Sequence, residues 1–348
     1  MNPRRVISSI GICLLSILLC TTVCRAQDNP VEYMNQFPQR EEVLSRKYLS
    51  YMSEVAHRGR ARKMEKRRVE VINAVKQNIK EISTIKPYKG DGSLRDAYKE
   101  YWTVLFNILN EDYAKIVDME EVAEQSYDAM EAYLLIQEKA STKLEASSEK
   151  VGLAYNKFAQ SQSIKLIAGE QTELSKKLSK AGLVNQYSNQ VYLIFFKSYM
   201  QENSVMTGLN ALDLNAIEQG KGSLKKFSAE GLAKLDTLKP FQGDASLVLA
   251  CKKVLGFHQS ETDKFELFTS FLIKKEDFEK FRKTFDAKPS GKRTQADVDQ
   301  YNKLLGDYNN SVKGYNKVSD ELNTNRSKAL EGWDKARAKF MDTHIPRG

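Results

Sequence analysis

Cysteine is scarce, and past the first 26 residues it is almost gone. Four occur in 348 residues, and Cys13, Cys20 and Cys24 all precede Gln27. Beyond that point only Cys251 remains, which excludes an internal disulfide there and leaves stability to the core. Cys251 lies among Ala250, Val254 and Leu255 on a helical pattern and reads as a buried thiol. Proline is equally rare, with seven in all, as suits long uninterrupted helices. The three histidines, His57, His258 and His344, have no second histidine or cysteine at ligand spacing, which argues against zinc. A Glu-x-x-His pair of the di-iron kind is missing. So are a Gly-x-Ser-x-Gly elbow, a phosphate-binding loop and a dinucleotide fingerprint. No catalytic residue, cofactor or metal is therefore expected. No alternating strand pattern competes with the helical one.

What is present suits a folded helical protein: 41% hydrophobic and 28% charged residues. The first 26 residues read as an export signal. Arg4 and Arg5 precede an apolar run from Val6 to Cys20, and Cys24-Arg25-Ala26 offers small residues to a signal peptidase, with Gln27 the new terminus. An uncleaved anchor remains an alternative. So does lipidation at Cys20 or Cys24, although Leu19 and Val23 precede them where small residues are preferred. Loss of Arg4, Arg5 and Arg25 lowers the formal charge of +9 by three, to +6. Such a mildly basic chain is not a nucleic-acid binder by charge.

One stretch occurs twice. Ile85-Lys86-Pro87-Tyr88-Lys89-Gly90-Asp91-Gly92-Ser93-Leu94 returns, 153 residues on, as Leu238-Lys239-Pro240-Phe241-Gln242-Gly243-Asp244-Ala245-Ser246-Leu247. Lys-Pro stops a helix, glycine allows positive φ, and Asp91, Ser93, Asp244 and Ser246 are N-cap types. The stretch reads as a structural corner, with a pair of binding loops as the alternative. The expected fold is all-α: a long-helix bundle of two internally duplicated halves with coiled-coil-like packing. The first half spans 27–163 and the second 164–348, with an insertion near 274–294.

In detail, 29–38 reads as a lead-in braked by Pro30 and Pro38, followed by one helix over 39–84. Helices follow over 94–116 and 119–161. A connecting stretch covers 164–181. The next helix is broken near Gly208, Gly220 and Gly222, and Ser198-Tyr199-Met200 echoes Ser50-Tyr51-Met52. The pattern resumes over 247–273, with Pro289-Ser290-Gly291 as a flexible point beyond it. The last helix, 295–343, alternates apolar residues by three and four through Tyr301, Tyr308, Tyr315, Leu322, Trp333 and Phe340. The many tyrosines on these seams read as core.

Three charged features compete for a role. Arg58, Arg60, Arg62, Lys63, Arg67 and Arg68 form a basic collar where the first helix loses its seam, a candidate for an anionic headgroup or glycan. The bland alternative is a solvated stretch or arginines reaching acids on neighbouring helices. Glu120, Glu121, Glu124, Asp128 and Glu131 favour a helix N-terminus. Ser319 and Arg326 are polar residues on the last seam and form a candidate pair between the repeats.

Asn29-Pro30-Val31-Glu32-Tyr33, the Gly-Asp-x-Ser-Leu corner and Ala123-Glu124-Gln125-Ser126-Tyr127-Asp128-Ala129-Met130 resemble an uncharacterised family of exported bacterial helical surface proteins. The resemblance implies export and a helical fold, and brings no functional residues with it. The expected role is that of a non-enzymatic binding or structural protein of the envelope, periplasmic or at the cell surface. Its partner would be an envelope protein, a glycan or an anionic headgroup. A carrier or enzyme with a cleft between the repeats is the alternative.

Overall fold

The computed structural model describes residues 29–57, 61–112, 125–166 and 172–347. The described residues are helical throughout, with no strand among them. Eight α-helices are seen: α1 Pro30–Ala56, α2 Ala61–Thr84, α3 Ser93–Asn107, α4 Tyr127–Ser161, α5 Glu173–Ala211, α6 Leu214–Thr237, α7 Ser246–Ala287 and α8 Gln295–His344. A π-helical turn, Ile108–Asp112, continues α3, and a 3₁₀ turn, Ser290–Lys292, joins α7 to α8. The expected signal segment lies outside the described residues. No helix among them is long and apolar enough to cross a membrane.

The lead-in proves to be helix. Asn29 caps α1, its Oδ1 accepting from Val31 N at 2.9 Å, and Pro30 sits in the first turn, where proline's missing N–H costs nothing. Pro38 falls inside α1, an interior cost of roughly 3 kcal/mol. Tyr33, Met34 and Phe37, all buried around it, offset that cost at about 1.5–3 kcal/mol each. The expected connection over 164–181 is also partly helix, since α5 begins at Glu173. The break in the second half falls at Leu212, whose φ of 55° ends α5, and Asp213 then caps α6 by accepting from Ala216 N at 3.0 Å. Gly220 lies within α6 and marks a close approach: a Cβ there would meet Val205 Cγ2 at 2.7 Å.

The two corners are built alike. Tyr88 and Asp91 exchange backbone hydrogen bonds of 3.0 and 2.9 Å, and Phe241 and Asp244 exchange bonds of 3.1 and 2.9 Å. The residues between, Lys89-Gly90 and Gln242-Gly243, all have positive φ (48°, 88°, 52° and 89°), as in a type I′ turn. Asp91 and Asp244 are not the helix caps expected of them; Gly92 and Ala245 hold those positions. Instead each carboxylate accepts from the amide two residues on, Ser93 N at 2.8 Å and Ser246 N at 2.7 Å. This local bond competes with the capping geometry and fixes the turn.

The chain divides into two compact units. The first holds α1, α2, α3, the π-helical turn and residues 133–181. Its core gathers Phe37, Leu44, Val75, Tyr88, Trp102 and Phe158, with Tyr33, Tyr88 and Phe158 as an aromatic triad at ring separations of 5.3–5.5 Å. The second unit holds residues 182–344. There Tyr187, Phe241 and Phe340 form a triad at 5.3–5.8 Å. Val205, Leu209, Ile217 and Leu224 of α5 and α6 pack with Phe265, Phe268, Val318 and Leu322 of α7 and α8.

Beyond that layer, the ring contacts described run between α7 and α8 alone. Phe271 pairs with Tyr315 (4.6 Å), Phe278 with Tyr308 (5.5 Å) and Phe285 with Tyr301 (4.7 Å). Each step of seven along α7 meets a step of seven back along α8. Residues 274–287 are thus the distal part of α7, and Pro289-Ser290-Gly291 is the hairpin turn. At 1.5 Å per residue the hairpin runs about 22 Å past Leu272.

Candidate buried ionic centre

The second unit carries a polar cluster sealed in its core. Ser198 and Glu202 sit one turn apart on α5, Ser228 on α6, His258 and Glu261 one turn apart on α7, and Arg326 on α8. Ser198, Ser228, His258 and Glu261 are 0% exposed and Glu202 1%, so solvent reaches none of them. Helical spacing explains the placement: i,i+3 and i,i+4 residues share a face, and these faces are turned inward.

The bonds run as a chain. Ser228 Oγ lies 2.8 Å from Ser198 Oγ, which lies 2.7 Å from His258 Nδ1. The far ring nitrogen, Nε2, lies 3.3 Å from Glu202 Oε2 but is too poorly aligned for a hydrogen bond. Arg326 donates from Nε to Glu202 and from Nη2 to Glu261 Oε2 at 3.0 Å, while its Nη1 reaches Asn323 Oδ1 at 2.8 Å. Glu261 Oε1 has no partner. Burial and the nearby Glu202 carboxylate push the Glu261 carboxyl up to about 9, against the pull of Arg326. Burial also raises Glu202, but His258 and Arg326 outweigh it and hold that carboxyl below its ordinary range.

The first unit's buried acid is satisfied differently. Glu41 accepts from Trp102 Nε1 (2.6 Å), Tyr101 OH (3.1 Å) and Ser45 Oγ (3.1 Å). Burial raises its pKa despite those bonds. No charge balances it within this set, so neutral donors do all the work.

The candidates from the sequence are scattered. Arg58 and Arg60 lie outside the described residues. Arg62 is exposed. Lys63 pairs with Glu54, Arg67 with Glu70 (2.9 Å), and Arg68 with Glu65 (2.7 Å) while donating to the Leu109 carbonyl (2.9 Å). These three serve neighbouring acids and a helix end, the bland reading of the collar. Glu120, Glu121 and Glu124 fall outside the described residues. Asp128 lies in the first turn of α4, and Glu131 accepts from Tyr127 OH. Arg326 joins Glu202 and Glu261 within the second unit, whereas Ser319, two turns earlier and half-buried, has no bond into that network. Cys251 is buried, its Sγ 3.9 Å from the Val191 carbonyl, and burial pushes the thiol pKa up. The sequence reading missed Ser198, Glu202, Ser228, His258 and Glu261. One signal was there: His258-Gln259-Ser260-Glu261 puts an imidazole and a carboxylate on one face of a helix that is otherwise apolar on that side.

No family model, curated protein or solved structure matches this chain.

Proposed function

We propose that this is an exported, non-enzymatic helical protein of the envelope, a binding or structural module that resembles the helical surface proteins named above. One observation carries the reading: the densest set of reactive polar groups is sealed at 0–1% exposure, out of reach of a substrate. The surface offered instead is a long helical hairpin. Its Phe–Tyr pairs at heptad steps support coiled-coil-like packing between α7 and α8. The partner is an envelope protein, a glycan or an anionic headgroup, met on helix faces.

The chain is further read as two related halves. The matching corners and matching aromatic triads support this. So does the length of α2 and α6, each 24 residues, one on either side of the 153-residue offset. In this register Tyr33 corresponds to Tyr187 and Phe158 to Phe340. The longer spacing before Phe340 then assigns the distal hairpin to an insertion in the second half.

The test is the mass of the protein in fractionated cells, with photo-crosslinking residues at exposed Lys274 and Glu279 of the hairpin. A chain starting at Gln27 in the periplasmic or surface fraction, crosslinked to an envelope component through those positions, is expected. A full-length cytosolic chain would overturn export. Crosslinks that fail at the hairpin but form at Arg62 would move the binding face to the collar.

A further inference from the structure

We infer that Glu202, His258 and Glu261 form a binding site for one divalent transition-metal ion, tying α5 to α7 in the core of the second unit. One carboxylate oxygen from each glutamate and one ring nitrogen of His258 lie within 4.8 Å of one another. Three ligands about 2.0–2.2 Å from a common ion stand roughly 3–4 Å apart, so small side-chain shifts close the set.

The hydrogen bonds point the same way. When His258 donates Nδ1–H to Ser198, Nε2 is a bare lone pair facing the oxygen of Glu202: two acceptors with no donor between them. A proton placed on Nε2 instead does not point at that oxygen. Glu261 Oε1, 0% exposed, is a second acceptor without a donor. An unmade bond on a buried acceptor costs about 1–3 kcal/mol, and one cation would satisfy both. The surroundings are those of ligands held in place. Ser198 fixes the tautomer that frees Nε2, and Arg326 binds one oxygen of Glu261 and one of Glu202. Arg326 balances one carboxylate and leaves the second negative charge for the ion.

The fold does not require this polar layer. On the reading of two related halves, Leu44, Tyr48, Val75, Leu105 and Leu144 stand in the first half where Ser198, Glu202, Ser228, His258 and Arg326 stand in the second. The position of Glu261 falls in the π-helical turn. One nitrogen and two carboxylate ligands suit Mn²⁺, Fe²⁺ or Zn²⁺ better than Ca²⁺ or Mg²⁺, which favour all-oxygen shells, or Cu⁺, which favours sulfur.

The experiment is calorimetric titration of the EDTA-treated full chain with Mn²⁺ and with Zn²⁺, plus the metal content of protein purified without chelator. Glu261→Gln and His258→Asn are the variants, with circular dichroism to check folding. One ion per chain is expected, with affinity reduced about 100-fold in either variant. No uptake by the wild type at about 1 mM of either ion, or uptake unchanged in both variants, overturns the site. Should a variant fail to fold, the wild type still decides. Its melting temperature rises with the ion at about 100-fold excess over Kd, and no rise refutes the site. These readouts are independent of where the protein resides in the cell.

Discussion

Arg326 offers the sharpest test of how the second unit's core is held. Its guanidinium bonds two carboxylates that are 1% and 0% exposed, while its own side chain is 15% exposed. Arg326→Met keeps length and apolar bulk but leaves both carboxylates without their cation. Removing one partner of a buried ion pair costs about 3–5 kcal/mol, because the other charge stays behind in a low dielectric. At about 2–4 °C per kcal/mol for a unit of this size, the melting temperature should fall by about 6–20 °C. Thermal and urea unfolding in EDTA measure this without interference from bound ions. Adding Glu202→Gln and Glu261→Gln to the Arg326→Met background should recover most of the loss, since neutral amides no longer need the cation. A loss below about 1 kcal/mol, the range of a solvated pair, would refute the argument. So would a triple variant no more stable than the single one.

Gly231→Ala should destabilise by about 1–3 kcal/mol in urea melts, because the new methyl would meet Leu255 Cδ2 at 2.4 Å and Ile194 Cγ2 at 3.1 Å. Gly306→Ala, with nothing within 4 Å, should stabilise by about 0.5–1 kcal/mol through helix propensity alone. Lys288 and Thr294 hold the Asp297 carboxyl at about 2, below its unfolded value of 3.8, so its contribution is complete above pH 3.8 and is lost as pH falls from 3.8 toward 2. NMR titration should show the first turn of α8 loosening in that window, and Asp297→Asn should remove the transition. Excising 275–281 together with 305–311 should shorten the hairpin by about 10 Å and keep it folded, as Phe271–Tyr315 and Phe285–Tyr301 stay in register. Excising 275–281 alone should mispair the rings and lower the melting temperature.

Elements with a local signature were legible before the structure. Lys-Pro followed by Gly-Asp marked both corners, and the steps of seven through Tyr301, Tyr308 and Tyr315 marked α8 to within a residue of its end. Pro38 misled because proline's local penalty is visible in sequence, whereas the burial of Tyr33 and Phe37 that outweighs it is not. Residues 173–181 misled for the opposite reason: their polarity hid a helix whose apolar anchors, Ala181 and Val184, come at its far side. The buried centre was the least legible part. Glu202 and Arg326 are 124 residues apart, and a lone polar residue on an apolar seam gives no hint of which distant helix completes it. Only the His258–Glu261 pair was local enough to be seen.

Cys251 has a consequence for the chain before it is folded. In the native core its sulfur is enclosed and unreactive. In an unfolded or half-folded chain the same thiol is open, and with no second cysteine beyond residue 26 it can react only with another molecule. In an oxidising compartment the laggards are therefore recorded as covalent dimers, while chains that finish folding escape. One sulfur atom thus acts as a timer on the last stage of assembly, set by how quickly α5 and α7 close over it.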